Sequence, residues 1–226
     1  MLINSVITCN ILITILLSPK VICQSPPPNM TSPIQLRLPS SYTPTPQTIP
    51  LPTLDFLYRT WSVTHSSLPM WRSARNVRIT YSPLSPPDNN KINDLVEYES
   101  KSPSIFTSGV NRIRGVDTTS NSADTGTWDW RGSGLLFFVT SHWEILGWGE
   151  RDLDDGSGGK ERWVVTWFQK TVFSAEGVDV YSDRKEGLSE GLKGEVLEAV
   201  RGLEGELGAL AGEDLKEVEI RLPWLE

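Results

Sequence analysis

Two long apolar and aromatic stretches separated by a polar turn dominate the chain. Residues 134–150 read GLLFFVTSHWEILGWGE and residues 161–173 read ERWVVTWFQKTVF, rich in the β-branched and aromatic side chains that suit a pleated surface. The intervening RDLDDGSGGK is a solvated hairpin loop by composition. With period two, the first stretch places Leu135, Phe137, Val139, Ser141, Trp143 and Ile145 on one face, and Leu136, Phe138, Thr140, His142, Glu144 and Leu146 on the other. The second places Trp163, Val165, Trp167, Gln169 and Thr171 opposite Val164, Thr166, Phe168 and Lys170. Both faces are largely apolar, so neither strand can lie on an open sheet with one side in water. A closed antiparallel barrel, with its outer wall covered by a helix or loop, satisfies both faces.

The same reading extends along the chain from Asp55. FLYRTWSVTHS gives a first strand with Trp61, Val63 and His65 on one face, ended by Pro69. RNVRITYSPL, NDLVEYESK, VNRIRGVDT and TGTWDWRG follow as strands two to five, the long stretches are six and seven, and GVDVYSDR is the eighth. Even spacing and short turns predict an all-β, eight-stranded up-and-down meander. The period then changes to three and four across residues 189–210, with Leu192, Val196, Ala199, Val200, Leu203, Leu207 and Leu210 in phase. One amphipathic helix is predicted there. Its glycines each cost up to about 1 kcal/mol against alanine, so it must dock to exist. A short last strand is expected within KEVEIRLPW.

Composition changes this picture at the N-terminus. Residues 1–23 hold an apolar run of signal-peptide length with Val21 and Cys23 spaced for cleavage, but the first positive side chain is Lys20. Met30 offers a second start, which makes the leader a mispredicted extension and the protein cytoplasmic; a true leader makes it secreted and exposes the Asn29-Met30-Thr31 sequon to glycosylation. Residues 24–53 are rich in Pro, Ser and Thr and are expected to be a disordered lead-in, with order beginning near Leu54 and the barrel domain occupying residues 54–226.

Charge and cysteine usage exclude several classes. A net charge of −7, with no basic stripe, argues against nucleic acid. Both cysteines, Cys9 and Cys23, lie in the leader, so the folded part has no disulfide, zinc cluster or thiol nucleophile. GSGGK lacks the spacing of a phosphate loop. No metal or cofactor is expected, nor stable membrane insertion of the mature domain; oligomeric state is left open.

The candidate chemistry lies in imidazoles and indoles. His65 and His142 are the only histidines, and His142 shares a strand face with Glu144, as a general base with an orienting carboxylate would. These three are the candidate catalytic residues; the alternative is a pair of structurally satisfied histidines. Arg112 and Arg114 share a face of the fourth strand, either as ligands for an anion in the lumen or as its solvent side. Of nine tryptophans, eight fall between residues 61 and 167. Trp61, Trp71, Tyr81, Trp128, Trp130, Trp143, Trp163 and Trp167 are therefore the candidate ligand-binding set, in a barrel whose lumen takes Trp143.

The motifs WSVTHSSLPMW, RNVRITY, TWDWRG, SHWEILGWG and WVVTWFQKTVFSAEGVDVYS resemble a fungal lipocalin-like family of the calycin superfamily, over about residues 54–200. The resemblance implies a barrel floor in which Trp61 packs under Arg184, although Arg59 stands where lipocalins carry a glycine. It implies a small apolar organic ligand in the cavity. The alternatives are a cofactor-free isomerase or cyclase of fungal secondary metabolism, as some lipocalin-like fungal proteins are cyclases, or a structural protein with a filled barrel.

Overall fold

Alternation of inward and outward side chains carries eight strands around a full circle. The structure, a computed structural model, describes residues 33–43, 49–102, 109–153, 155–172 and 174–225. The leader, the Met30 start and the sequon lie outside the described residues. The strands are β1 (Thr60–Ser66), β2 (Ala74–Pro83), β3 (Lys91–Ser100), β4 (Val110–Thr118), β5 (Thr127–Gly132), β6 (Thr140–Asp152), β7 (Lys160–Phe168) and β8 (Gly177–Ser182). Each is antiparallel to the next. β1 meets β2 at Trp61↔Ile79 and β8 at Val63↔Tyr181, so the sheet closes as the predicted up-and-down barrel. A short β9 (Lys216–Glu217) adds to β1 at His65 and Ser66.

Two apolar clusters lie on opposite sides of the wall. The inner one joins Trp61, Val63, Tyr81, Trp128, Trp143 and Tyr181. The outer one joins Leu146, Trp163, Val165, Trp167, Val178 and Val180 to the apolar faces of two helices, α2 (Glu190–Arg201) and α3 (Gly205–Asp214). α1 (Leu54–Leu57), a single turn capped by Thr53, plugs one end of the barrel under Trp61, whose Nε1 donates to the Leu57 carbonyl at 3.0 Å.

Three features depart from the sequence reading. β6 begins at Thr140 rather than residue 134, because β5 has no residue beyond Gly132 for an earlier start to pair with. Residues 134–136 wind into a 3₁₀ turn instead, leaving Leu135, Phe137 and Phe138 at 92%, 65% and 59% exposure on a loop at one barrel rim. β7 likewise ends at Phe168, where pairing with Gly177 of β8 begins. The single long helix is two, since α2 stops at Arg201, Gly202 caps it, and Gly205 opens α3 with φ +70°. A β-bulge in β6, where Ile145 and Gly147 face adjacent residues Thr166 and Val165, makes Leu146 the extra residue and shifts the alternation by one. Leu146 stays outward in phase with His142 and Glu144, Gly147 follows it outward against the chain at Leu36, and Trp148 returns inward to pack on Phe56 at 4.6 Å.

Order also starts before Leu54. Residues 33–43 form an extended strap across the outer wall, with Ile34, Leu36, Leu38 and Tyr42 on the outer cluster and Arg37 N–H donating to the Leu146 carbonyl at 2.8 Å. The strap crosses where β6 has no side chain: a Cβ at Gly147 would meet Leu36 Cδ2 at 2.3 Å and the Gln35 carbonyl at 3.0 Å. Gly147→Ala is therefore expected to weaken the strap by about 1–2 kcal/mol, seen as faster proteolysis within residues 33–43 with the barrel's own unfolding transition nearly unchanged.

Candidate functional site

The barrel interior carries an aromatic stack beside an uncompensated acidic cluster. Tyr81 from β2 stacks on Trp143 from β6 at 5.6 Å, and Trp143 on Trp128 from β5 at 6.1 Å, with interplanar angles of 13° and 20°. Asp94 on β3 is the direct cross-strand partner of Tyr81, and Asp117 on β4 that of Trp130. Asp117 Oδ1 accepts from Trp143 Nε1 at 2.7 Å, which ties the stack to the acid. Tyr181 and Asp179 of β8 and Thr166 of β7 complete the buried polar set.

Four atoms of this set, Asp94 Oδ1, Asp117 Oδ2, Thr166 Oγ1 and Tyr181 OH, are buried without a well-aligned hydrogen-bond partner among the described residues, although Tyr181 lies close to both Thr166 and Tyr81. Among the described residues no lysine or arginine forms an ion pair with Asp94, Asp117 or Asp179. A carboxylate out of water with no cation is expensive, so the groups hold protons instead. Burial raises Asp94. Burial, with Asp94 next to it, raises Asp117 well above the usual range against the pull of the Trp143 N–H. Burial lifts Asp179 to about 7 despite the Ser66 hydroxyl, which donates to its Oδ1 at 2.5 Å. Burial also pushes the Tyr81 and Tyr181 phenols well up. Burial thus shifts every one of these interior groups toward its protonated, uncharged form.

The indoles divide between the two sides. Of the candidate set, Trp61, Tyr81, Trp128 and Trp143 are inside. Trp71 lies on the turn between β1 and β2 (Pro69–Ser73), edge-on to Tyr98 at 5.4 Å. Trp130 sits at the rim, its ring lying over Gly115, where a Cβ would come within 2.1 Å of Nε1. Trp163 and Trp167 instead face outward, under α2, α3 and the strap, because the outer wall is as deeply covered as the lumen and apolar residues serve both sides. Tyr42 of the strap meets Trp167 edge-on at 6.2 Å.

The three candidate catalytic residues are also outside. His65 packs toward the helices and β9, and burial lowers its pKa. His142 Nδ1 lies 2.8 Å from Asp129 Oδ1, and its Nε2 is 3.6 Å from Glu144 Oε1, on the wall opposite Trp143. Glu144 is fully buried beneath the strap, which supplies Arg37 Nη1 at 2.8 Å and the Ser40 amide and hydroxyl at 3.0 and 2.6 Å. Burial pushes this carboxyl up, but His142, Ser40 and Arg37 outweigh it and hold it at about 2. Glu144 is an anchor for the strap, with no access to the lumen.

At the floor, Arg59 takes the place over Trp61, its guanidinium 5.4 Å from that ring and 5.2 Å from Phe56. Arg184 points away to Glu186 at 2.7 Å and Glu161 at 3.5 Å. The Arg184 carbonyl accepts from the Ser62 hydroxyl of β1 at 2.8 Å. Arg112 is outside on Glu97 at 2.8 Å, and Arg114 shares that outer face. Asp129 lies on His142, and Arg131 donates to the Phe137 carbonyl at 3.0 Å.

Strand parity held the signal for the missed acids. Asp94 is in phase with Ile92, Val96 and Tyr98, Asp117 with Ile113 and Gly115, and Asp179 with Tyr181. An acid in phase with an apolar face is the mark to look for. At the rim, a shallow groove of about 1010 Å³ runs between Trp130, Phe138, His142 and Val172. Among the described residues no group of three or more His, Cys, Asp or Glu side chains is placed to hold a metal ion, and no helix is long and apolar enough to cross a membrane.

No protein-family profile matches the chain, and no curated protein matches its sequence. Among solved structures, apocrustacyanin C1 is similar with a TM-score of 0.47 and 9% identity, covering 78% of this chain and 95% of that one. The siderocalin Ex-FABP gives 0.45 and 11% identity over 74% and 96%. The amine binding protein of Rhodnius prolixus, in its tryptamine complex, gives 0.45 and 12% identity over 76% and 85%.

Proposed function

We propose that this lipocalin-like barrel binds a small, mostly apolar organic molecule in its interior. The observation that carries the reading is the Tyr81–Trp143–Trp128 stack bordered by four unpartnered buried polar atoms. Ligand sites are concave and largely apolar with a few convergent polar groups, and that is the composition of this interior. Burying about 200 Å² of apolar ligand surface, at about 25 cal/mol per Å², is worth about 5 kcal/mol before association costs. The exposed Leu135, Phe137 and Phe138 stand at the rim, where an apolar guest would first meet the protein.

The test is quenching of intrinsic tryptophan fluorescence by 1-bromonaphthalene, whose heavy atom quenches an indole it touches. Saturable quenching that falls by more than half in Trp143→Phe is the expected result. Quenching linear in probe concentration, and unchanged by that substitution, identifies a filled barrel and ends the reading.

A second reading, a cofactor-free isomerase or cyclase of fungal secondary metabolism, is favoured by one observation. Burial raises the adjacent Asp94 and Asp117 carboxyls, Asp94 to about 7 and Asp117 well above the usual range, toward the protonated form that a general acid needs. On this reading the acid falls to that pair rather than to His65, His142 or Glu144. Mass spectrometry of molecules retained by protein from its own cells would separate the two: a single unconverted compound supports carriage, a substrate and product pair supports turnover.

A further inference from the structure

Resting on the proposal that the interior is a binding site, we infer that its guest carries a protonated amine, held at the end of the barrel lined by Asp94 and Asp117. The inventory of unpartnered atoms selects this chemistry. Asp94 Oδ1 and Asp117 Oδ2 accept only, once their carboxyls ionise, and the Thr166 and Tyr181 hydroxyls beside them can accept as well as donate. An ammonium group offers three donors and no acceptor. An anionic guest would meet two carboxyls and two hydroxyls with no cation to pair with.

The ring faces add a second, independent argument. Tyr81 and Trp143 are stacked beside the acids, Tyr81 being the cross-strand neighbour of Asp94 and Trp143 the hydrogen-bond donor to Asp117. Aromatic faces attract cations by about 0.5–2 kcal/mol, more when dry. A phenyl or indole body packed on the stack would therefore put an ammonium two or three bonds away near the carboxyls. The arrangement joins an apolar wall, a π surface and a carboxyl pair that lacks only its counter-charge.

The same geometry sets a pH signature. Groups facing the pair are Tyr81 on β2, Tyr181 and Asp179 on β8, and, across the wall, Asp129 on β5; none supplies positive charge, while Arg72 acts on Asp179 alone. The pair holds its protons in the empty barrel, and an arriving ammonium favours the carboxylate. Binding of the cation therefore releases a proton. Affinity should rise about tenfold per pH unit while the pair is protonated and level off once it has ionised.

The experiment is calorimetry with 2-phenylethylamine against its neutral isostere 2-phenylethanol, at several pH values and in two buffers of different ionisation enthalpy. The expected result is at least tenfold tighter binding of the amine near pH 8, with about one proton released per amine bound. Asp94→Asn and Asp117→Asn, each singly, should abolish the preference and the proton release, the preference being read in each variant as the ratio of amine to 2-phenylethanol affinity. Both replacements resemble the protonated carboxyl in shape, so both should fold; cooperative urea unfolding checks this. Equal affinity for amine and alcohol, or a preference that survives both substitutions, overturns the cation assignment and leaves cavity binding standing. If neither compound nor 1-bromonaphthalene binds, the inference falls together with the binding function.

Discussion

Trp143→Ala should lower the free energy of unfolding by about 3–5 kcal/mol, the range for truncating a buried aromatic. Trp143 is almost completely buried and touches Tyr81, Trp128 and Phe168, whose ring centres lie 5.6, 6.1 and 6.4 Å away. These neighbours come from β2, β5 and β7, so collapse into the vacated space would require three strands to move together. The substitution also removes the Trp143 N–H that donates to Asp117 Oδ1, leaving a second buried oxygen there without a partner among the described residues. Trp143→Phe separates the two losses, since it keeps most of the ring while deleting the N–H. It should cost about 1–3 kcal/mol. Urea unfolding measures both, and a lowered midpoint with unchanged slope attributes the change to stability. A loss under about 1 kcal/mol for the alanine variant would mean that the stack does not organise the interior.

That residue also marks how far the chain could be read in advance. Alternation alone gave the barrel, because strands such as RNVRITYSPL and VNRIRGVDT match β2 and β4 almost residue for residue. The inward direction of Trp143 rested on a slight asymmetry, since both faces of its strand are apolar. What settles it is the polar traffic on the other side, where His142 meets Asp129 and Glu144 meets Arg37. Residues 134–139 misled because hydrophobicity reports burial or exposure only once a partner strand is known, and β5 is too short to provide one. Trp163 and Trp167 misled for the converse reason: α2, α3 and the strap make the outer wall a second core. The acids were legible by parity, but a carboxyl in a strand reads as solvent-facing until closure shows that its face has no solvent. The strap was the least legible part, since its Pro, Ser and Thr content suits an unpacked chain and its hold depends on one glutamate 104 residues away.

Glu144→Ala should release that strap and cost about 3–4 kcal/mol, the range for removing one member of a buried ion pair. The carboxylate is the meeting point of Arg37, Ser40 and His142, while Arg37 extends the clamp to the Ile145 and Gly126 carbonyls at 2.7 and 3.0 Å. Without Glu144 the guanidinium keeps its carbonyl partners but loses its counter-charge beneath a largely closed surface. The strap then trades a buried cation for solvent. pH acts on the same group. A carboxyl held at about 2 when folded and near 4.5 when free contributes fully above pH 4.5, and that contribution disappears as pH falls toward 2. His142 runs the other way. Glu144 raises its pKa, burial opposes this, and Asp129 raises it further, so its contribution is complete below about pH 6.5 and is lost as pH climbs through the raised value. The strap is therefore held most firmly between about pH 4.5 and 6.5. Hydrogen exchange at the Arg37 amide, which donates to the Leu146 carbonyl, reads the hold directly. Protection should be greatest in that window, decline on both sides, and vanish at every pH in Glu144→Ala; protection that persists in this variant would place the anchor elsewhere on the outer wall.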